Sequence, residues 1–440
     1  MAIIPQSSLF QWDEVEALDD LERLRLVLEH LPDEELMKAL ERERGLGRND
    51  YPIRPVWNSL LAGIVFQHVS VESLRRELLR NASLRQACGF DPTKGCRAVP
   101  TSRAYSHFLK RVRSQLCRIE ALFSRLLRLL MGELPDFGRH LAHDGKAIAS
   151  HGRAPKKDAQ RKAPDGRRES DADWGAKTKH SSNEEGTEVG KTFYWFGFKL
   201  HLIVDATYEL PVAYELTKAS GAEQPVARSL YHRLAQEQPE LIERCQAAIG
   251  DKGTDDTALI AQLWDDHGIK PIIAIRSDWK DELTRRVSHT RNVIYDQQGT
   301  VSCCCMKTGE LHQMAYAGFE QDRESLKYRC PGLHYGLKCP DVGRCHVKGA
   351  VRIKLSEDRR VFTPMARSSY AWDRLYRKRS SIERVNSRLD LSFGFEQHFI
   401  RGQQKMTLRL SLAMLVLLAM AHGRIKEKQR DKLRSLTRAA

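Results

Sequence analysis

Apolar residues recur every three to four positions through roughly the first 130 residues, then give way to alternation, which predicts a helical segment followed by a sheet. Residues 12–45 read as two acidic amphipathic helices, the first carrying Leu18, Leu21, Leu24, Leu26 and Leu28. From about 53 to 130 the helical spacing continues, broken near Ser70 by a cap-like Val-Ser-Val-Glu turn. Two short helices joined by a tight turn fit either a helix-turn-helix, with Arg75, Arg76 and Arg80 facing phosphates, or an ordinary α-hairpin with a solvated basic face. The pattern alone favours the hairpin. A further helix rich in Arg and Leu follows over 102–131.

Near residue 139 the period changes. RHLAHDGKAIAS reads as a short strand ending at Asp144, and the polar, charged stretch from His151 to Gly190 as a long mobile loop. FYWFGFKLHLIVDA (193–206) and ELPVAYELT alternate as strands. A helix over 223–244, a buried strand QAAIGD ending at Asp251, a helix near 254–267 and the strand KPIIAIR complete an α/β pattern with a mixed sheet. Residues 285–365 are β-like and Cys-rich, an insertion. Helical spacing resumes at Trp372 and runs to 391, a long helix spans 404–424, and a basic tail closes the chain. The apolar run Leu410–Ala421 is too short to cross a bilayer and reads as a buried helix.

Composition adds a partner class. The 440 residues carry a net charge of +15 with pI near 9.4, and 41% are hydrophobic. The chain can bury a core of two or three domains, and its excess of Lys and Arg suits a polyanion. The N-terminal residues show no basic region followed by an apolar one, so a cytoplasmic location is expected and no membrane partner. Six of the ten cysteines fall between Cys303 and Cys345, which favours a metal site over disulfides in such a chain.

Two predicted strands run into an acid beside Lys and Gly: HDGK at 143–146 and GDKG at 250–253. Neighbouring strands can bring Asp144 and Asp251 together, and paired carboxylates repel unless a cation lies between them. Two Mg²⁺ or Mn²⁺ ions would resolve this and suit phosphodiester chemistry. Each turn taken singly is an ordinary strand-to-loop connection. A third segment, YRKRSSIE at 376–383, places Tyr376, Arg379 and Glu383 on one helical face, offering a carboxylate for metal and a guanidinium for phosphate. The bland alternative is a solvated Arg–Glu pair.

Tyr, two residues, Arg, three residues, Glu resembles the signature of the DDE insertion-sequence transposases. DGKAI at 144, DADWG at 171–175, FGFKLHLIVD and GDKGTDD stand in that family's order, and the helical segment from residue 55 is similar to its N-terminal domain. The resemblance covers roughly 50–425. It implies an α+β fold: an N-terminal helical, DNA-end-binding domain (1–132), a ribonuclease-H-like core with a mixed sheet (133–284 and 366–425), a β-rich insertion (285–365) between the second Asp and the Glu, and a basic tail (426–440). It implies a bacterial, nucleoid-associated enzyme. Asp144, Asp251 and Glu383 would be catalytic metal ligands, with Tyr376 and Arg379 on DNA phosphate and Lys146 and Lys252 close by. Its partners would be double-stranded DNA, both inverted-repeat ends and target, bound by a homodimer. The signature continues to a Lys where this chain has Asp390, with Arg388 as a stand-in. A non-catalytic DNA-binding protein and a nuclease without strand transfer are the competing functions.

Within the insertion, Cys330, Cys339, Cys345 and one of Cys303–Cys305, with Cys304 as the choice, could form a structural Zn²⁺ site, with His334 or His346 nearby; free buried thiols are the alternative. Cys88, Cys96, Cys117 and Cys245 read as core residues or plain thiols, and His143 and His201 as packed side chains.

Overall fold

The computed structural model describes residues 20–45, 50–154, 169–182, 188–276, 279, 283–342, 345, 347 and 349–434. The first strongly patterned segments fold as expected. Helices Asp20–His30, Ile53–Val65 and Leu116–Glu133 surround a long C-terminal helix, Gln403–Lys426, and share one apolar core with it. That C-terminal helix is long and apolar enough to cross a membrane, yet 89% of its most apolar stretch is buried inside the molecule. Leu18 of the first expected helix lies outside the described residues.

The break near Ser70 is a cap: its hydroxyl accepts the Ser73 N–H at 3.1 Å and starts helix Val71–Arg80. Arg75 is spent internally, donating to the Pro100 carbonyl at 2.8 Å and pairing with Glu72 at 2.9 Å, while Arg80 pairs with Glu77. The helix expected over 102–131 is two, Ser102–Ser114 and Leu116–Glu133, separated at Gln115. Likewise Pro239 divides the expected 223–244 helix into Glu223–Glu237 and Pro239–Arg244.

The central sheet holds β1 (His140–Ala149), β2 (Asp173–Ser182), β3 (Glu188–Asp205), β4 (Leu210–Lys218), β5 (Ala247–Gly250) and β6 (Lys270–Ile273). Its order is β2-β3-β1-β5-β6, with β4 also on β3. β3 is antiparallel to β1, β2 and β4, whereas β1, β5 and β6 are mutually parallel, so the sheet is mixed. Two expectations are corrected. β1 does not end at Asp144; it continues to Ala149 because β3 keeps pairing with it after β5 has stopped. The 151–190 segment is not one loop: residues 173–182 form β2, paired along β3 from Gly197 back to Glu188. Residues 155–168 lie outside the described residues.

The insertion builds two small sheets. One is β7 (Thr284–Arg286), β8 (Val293–Asp296), β9 (Val301–Cys304) and β10 (Leu311–Gln313) in the order β10-β9-β8-β7; the other is β11 (Ala315–Glu320), β12 (Ser325–Arg329) and β13 (Ala350–Lys354) in that order. They bury an apolar cluster of their own, which reaches from Ile275 to Ala366 and so begins about ten residues before the expected boundary at 285. Both feet of the insertion meet Asp255, whose side chain is fully buried. It accepts the Arg276 N–H at 2.7 Å and the Arg360 guanidinium at 2.6 and 2.9 Å.

A carboxylate cluster beside the end of strand β5

The parallel pairing of β1 with β5 sets His143 opposite Gly250, so the next residues on each strand, Asp144 and Asp251, come side by side. A third carboxylate joins them. Glu223 opens helix Glu223–Glu237, and ligand oxygens of Asp144, Glu223 and Asp251 all lie within 4.8 Å of one another. Burial first, and then the neighbouring Asp251, push the Asp144 carboxyl up to about 6. Three acids this close in a partly buried site form a donor set for a hard divalent cation, which takes carboxylate oxygens.

The glycines flanking the aspartates clear the space. A Cβ at Gly145 would stand 2.6 Å from Glu223 Oε1, and one at Gly253 2.5 Å from Glu223 Oε2 and 2.8 Å from Asp251 Oδ1. Gly253 also donates its N–H to Asp251 Oδ1 at 2.7 Å, and Gly145 to Asp144 Oδ1 at 2.7 Å. Lys199 Nζ sits 3.6 Å from Glu223 and offsets part of its charge. Gly253→Ala will therefore weaken divalent-cation binding by about 10–100-fold, measured by titration calorimetry. Gly132→Ala, where a Cβ meets nothing within 4 Å, will leave it unchanged.

His143 lies beneath this cluster and is not a ligand. Its ring nitrogens bond Tyr231 Oη and Thr254 Oγ1, both at 3.0 Å, and burial lowers its pKa to about 4, so the imidazole is neutral. His201 is likewise packed, 2.9 Å from Thr217 Oγ1. The acids of DADWG serve the backbone: Asp173 accepts the Ser220 N–H at 2.8 Å and Asp171 the Gln403 N–H at 3.3 Å.

Glu383 is not among the clustered acids. It lies in the first turn of helix Ser380–Phe393, about half exposed, and its Oε1 accepts Arg379 Nη2 at 2.7 Å. Arg379, paired with Glu383, also interacts electrostatically with Asp144 of the cluster. Tyr376, stacked on Trp372 with ring centroids 4.8 Å apart, feels both Asp251 and Glu383. The three signature residues do not share one helix: Tyr376 ends helix Tyr370–Tyr376, Arg379 lies in the 3₁₀ turn Arg377–Arg379, and Glu383 is in the first turn of helix Ser380–Phe393.

Two basic positions are placed differently from expectation. Arg388 is no stand-in near the cluster: it pairs with the buried Glu209 and bonds its carbonyl at 3.1 Å. Lys146 Nζ instead pairs with Asp390 at 2.5 Å, both side chains largely buried. The signature's lysine position is therefore occupied by an acid that the Lys146 ammonium from β1 neutralises. Lys252 is exposed, its carbonyl accepting Arg276 Nε at 2.5 Å.

The comparisons with known proteins follow this geometry. No curated protein matches the chain. Among solved structures, it is similar to a piggyBac transposase in a cryo-EM synaptic complex with hairpin DNA, at 12% identity and TM-score 0.38, covering 95% of this chain and 79% of that one. A family model described as a transposase DDE domain matches residues 135–419, a span that holds the carboxylate cluster, the insertion and the Tyr-Arg-Glu segment. With well over half of its length inside that match, the chain belongs to the DDE transposase family.

Proposed function

We propose that this transposase cleaves DNA at the ends of its own element and joins the freed 3′ ends to target DNA, using divalent cations held by Asp144, Asp251 and Glu223. The observation carrying this reading is the meeting of three carboxylates from three separate elements, β1, the helix after β4 and the end of β5. The strand order β2-β3-β1-β5-β6, antiparallel on one side of β1 and parallel on the other, supports a ribonuclease-H-like core. Bound Mg²⁺ or Mn²⁺ ions would neutralise the acids, activate water and stabilise the leaving 3′ oxygen. Arg379 grips the phosphate beside the scissile bond and Tyr376 buttresses it. With Arg379 turned to phosphate, Glu383 would be free to join Asp144, Asp251 and Glu223 in holding the ions. The net charge of +15 supplies salt-sensitive DNA affinity. A homodimer in the cytoplasm holds two ends together.

The test uses duplexes carrying the inverted repeats that flank the gene. Mg²⁺-dependent nicking at the repeat ends, followed by joined donor–target products, is expected. No nicking in either Mg²⁺ or Mn²⁺ sinks the catalytic reading and leaves a DNA-binding protein. Nicking without joined products leaves a nuclease.

A further inference from the structure

The two small sheets of the insertion have little to hold them together. Their strands are three to six residues long, and none of the ten cysteines is in a disulfide. Domains with cores this small commonly need a staple. Five cysteines converge where the sheets meet. Cys303 and Cys330 are buried in the insertion's apolar cluster with Cys345 packed against it. Cys303 also interacts with Cys330, Cys345 and Cys339, and Cys305 bonds Cys339.

Three of these sulfurs share a local geometry. Cys345 Sγ accepts the N–H of Val347 at 3.4 Å, two residues on, and Asn292 Nδ2 at 3.3 Å. Cys339 accepts the N–H of Asp341, again two residues on. Cys305 accepts from the Thr308 hydroxyl and from the N–H groups of Thr308 and Lys307, and its S–H donates to Asp341 Oδ2 at 3.3 Å. A thiol is a weak acceptor and a thiolate a strong one, so turns that aim backbone donors at sulfur are built for the charged form. The thiolate is also the form that binds metal. No three of these sulfurs lie within 4.8 Å of one another among the described residues, so a bound ion would draw them inward.

We propose that Cys305, Cys330, Cys339 and Cys345 bind one Zn²⁺ tetrahedrally, pinning the sheet of β7–β10 to the sheet of β11–β13. Cys330 provides the fourth ligand from the start of helix Pro331–Tyr335, immediately after β12. Cys303 stays outside the set: it is buried in the apolar cluster and its S–H donates to the His312 carbonyl at 3.6 Å. This corrects the sequence-based choice of Cys304, whose sulfur lies on the opposite side of β9 from Cys303 and is directed at the Gly309 carbonyl at 3.5 Å. His334 is exposed to solvent, and His346 lies outside the described residues. The role is structural, because four thiolates leave no open position for substrate.

Full-length protein purified under reducing conditions without chelator should contain one zinc per chain by elemental mass spectrometry. Replacement by Co²⁺ should give the visible bands of a tetrahedral thiolate site. Cys305→Ser, Cys330→Ser, Cys339→Ser and Cys345→Ser should each lose the metal, while Cys303→Ser and Cys304→Ser retain it. Zinc-stripped wild type should be cut by protease first within 285–365, which separates loss of metal from general misfolding of a variant. A metal-free wild type that resists protease there overturns the proposal. So does retention of full zinc by any of the first four variants, or its loss from Cys303→Ser or Cys304→Ser.

Discussion

Asp144→Asn and Asp251→Asn will each reduce DNA cleavage by at least about 10³-fold, since removing a single charge-stabilising group from a preorganised site costs that much. The same substitution at 144 will make the metal-free protein more stable. The folded Asp144 carboxyl sits at about 6, above the value near 3.9 of an unfolded chain. The folded state therefore binds the proton more tightly, and the ionised group destabilises it. Wild-type stability without metal should fall as pH rises from about 4 to 6 and lose nothing further from this group above that window. Asn is never charged, so the Asp144→Asn melting temperature should exceed wild type by a few degrees at pH 7 and match it near pH 4. Adding Mg²⁺ should raise the wild-type melting temperature and leave that of the variant nearly unchanged. A variant that is inactive and also less stable at pH 7 without metal would show that Asp144 supports the fold and not the ion.

Arg379→Gln is expected to separate two properties that normally move together. The guanidinium holds Glu383 at 2.7 Å and also feels Asp144, so its removal frees an acid and deletes a cation near the cluster. Divalent-cation affinity should rise several-fold. Cleavage should drop by about 10²–10³-fold if Arg379 serves as the proposed phosphate donor. Arg379→Lys retains the charge but not the two-pronged geometry and should recover little of the rate. Calorimetry with Mn²⁺ and single-turnover cleavage read the two effects. A fall in cation affinity would show that Arg379 props the cluster instead of restraining Glu383.

Asp144 and Asp251 were legible in the sequence because each lies at the end of an apolar run beside glycine, and the sheet then sets parallel β1 and β5 in register. Glu223 was not legible. An acid in the first turn of a helix reads as a partner for the helix dipole, and nothing along the chain says which way it points. The available signal was indirect: Gly145 and Gly253, where any side chain would strike its carboxylate. Strand β2 was missed because it is charged and exposed, with its pairing supplied by the overlong β3. Among the three adjacent cysteines, strand alternation along β9 turns Cys304 to the opposite side from Cys303, which a run of identical residues does not reveal. The Lys146–Asp390 pair shows the limit of matching positions to a signature, since the acid at 390 is neutralised by a lysine 244 positions away.

Asp255, four residues beyond Asp251, anchors both feet of the insertion through Arg276 and Arg360. The turn that presents one of the clustered acids is therefore also a joint on which the insertion is mounted. A shift of the insertion against the sheet pulls on that turn through Arg276 and Arg360, and so reaches the Asp251 carboxylate. A deletion trimmed at 285 and 365 would remove Arg360, keep Arg276, and leave Asp255 with half of its clamp.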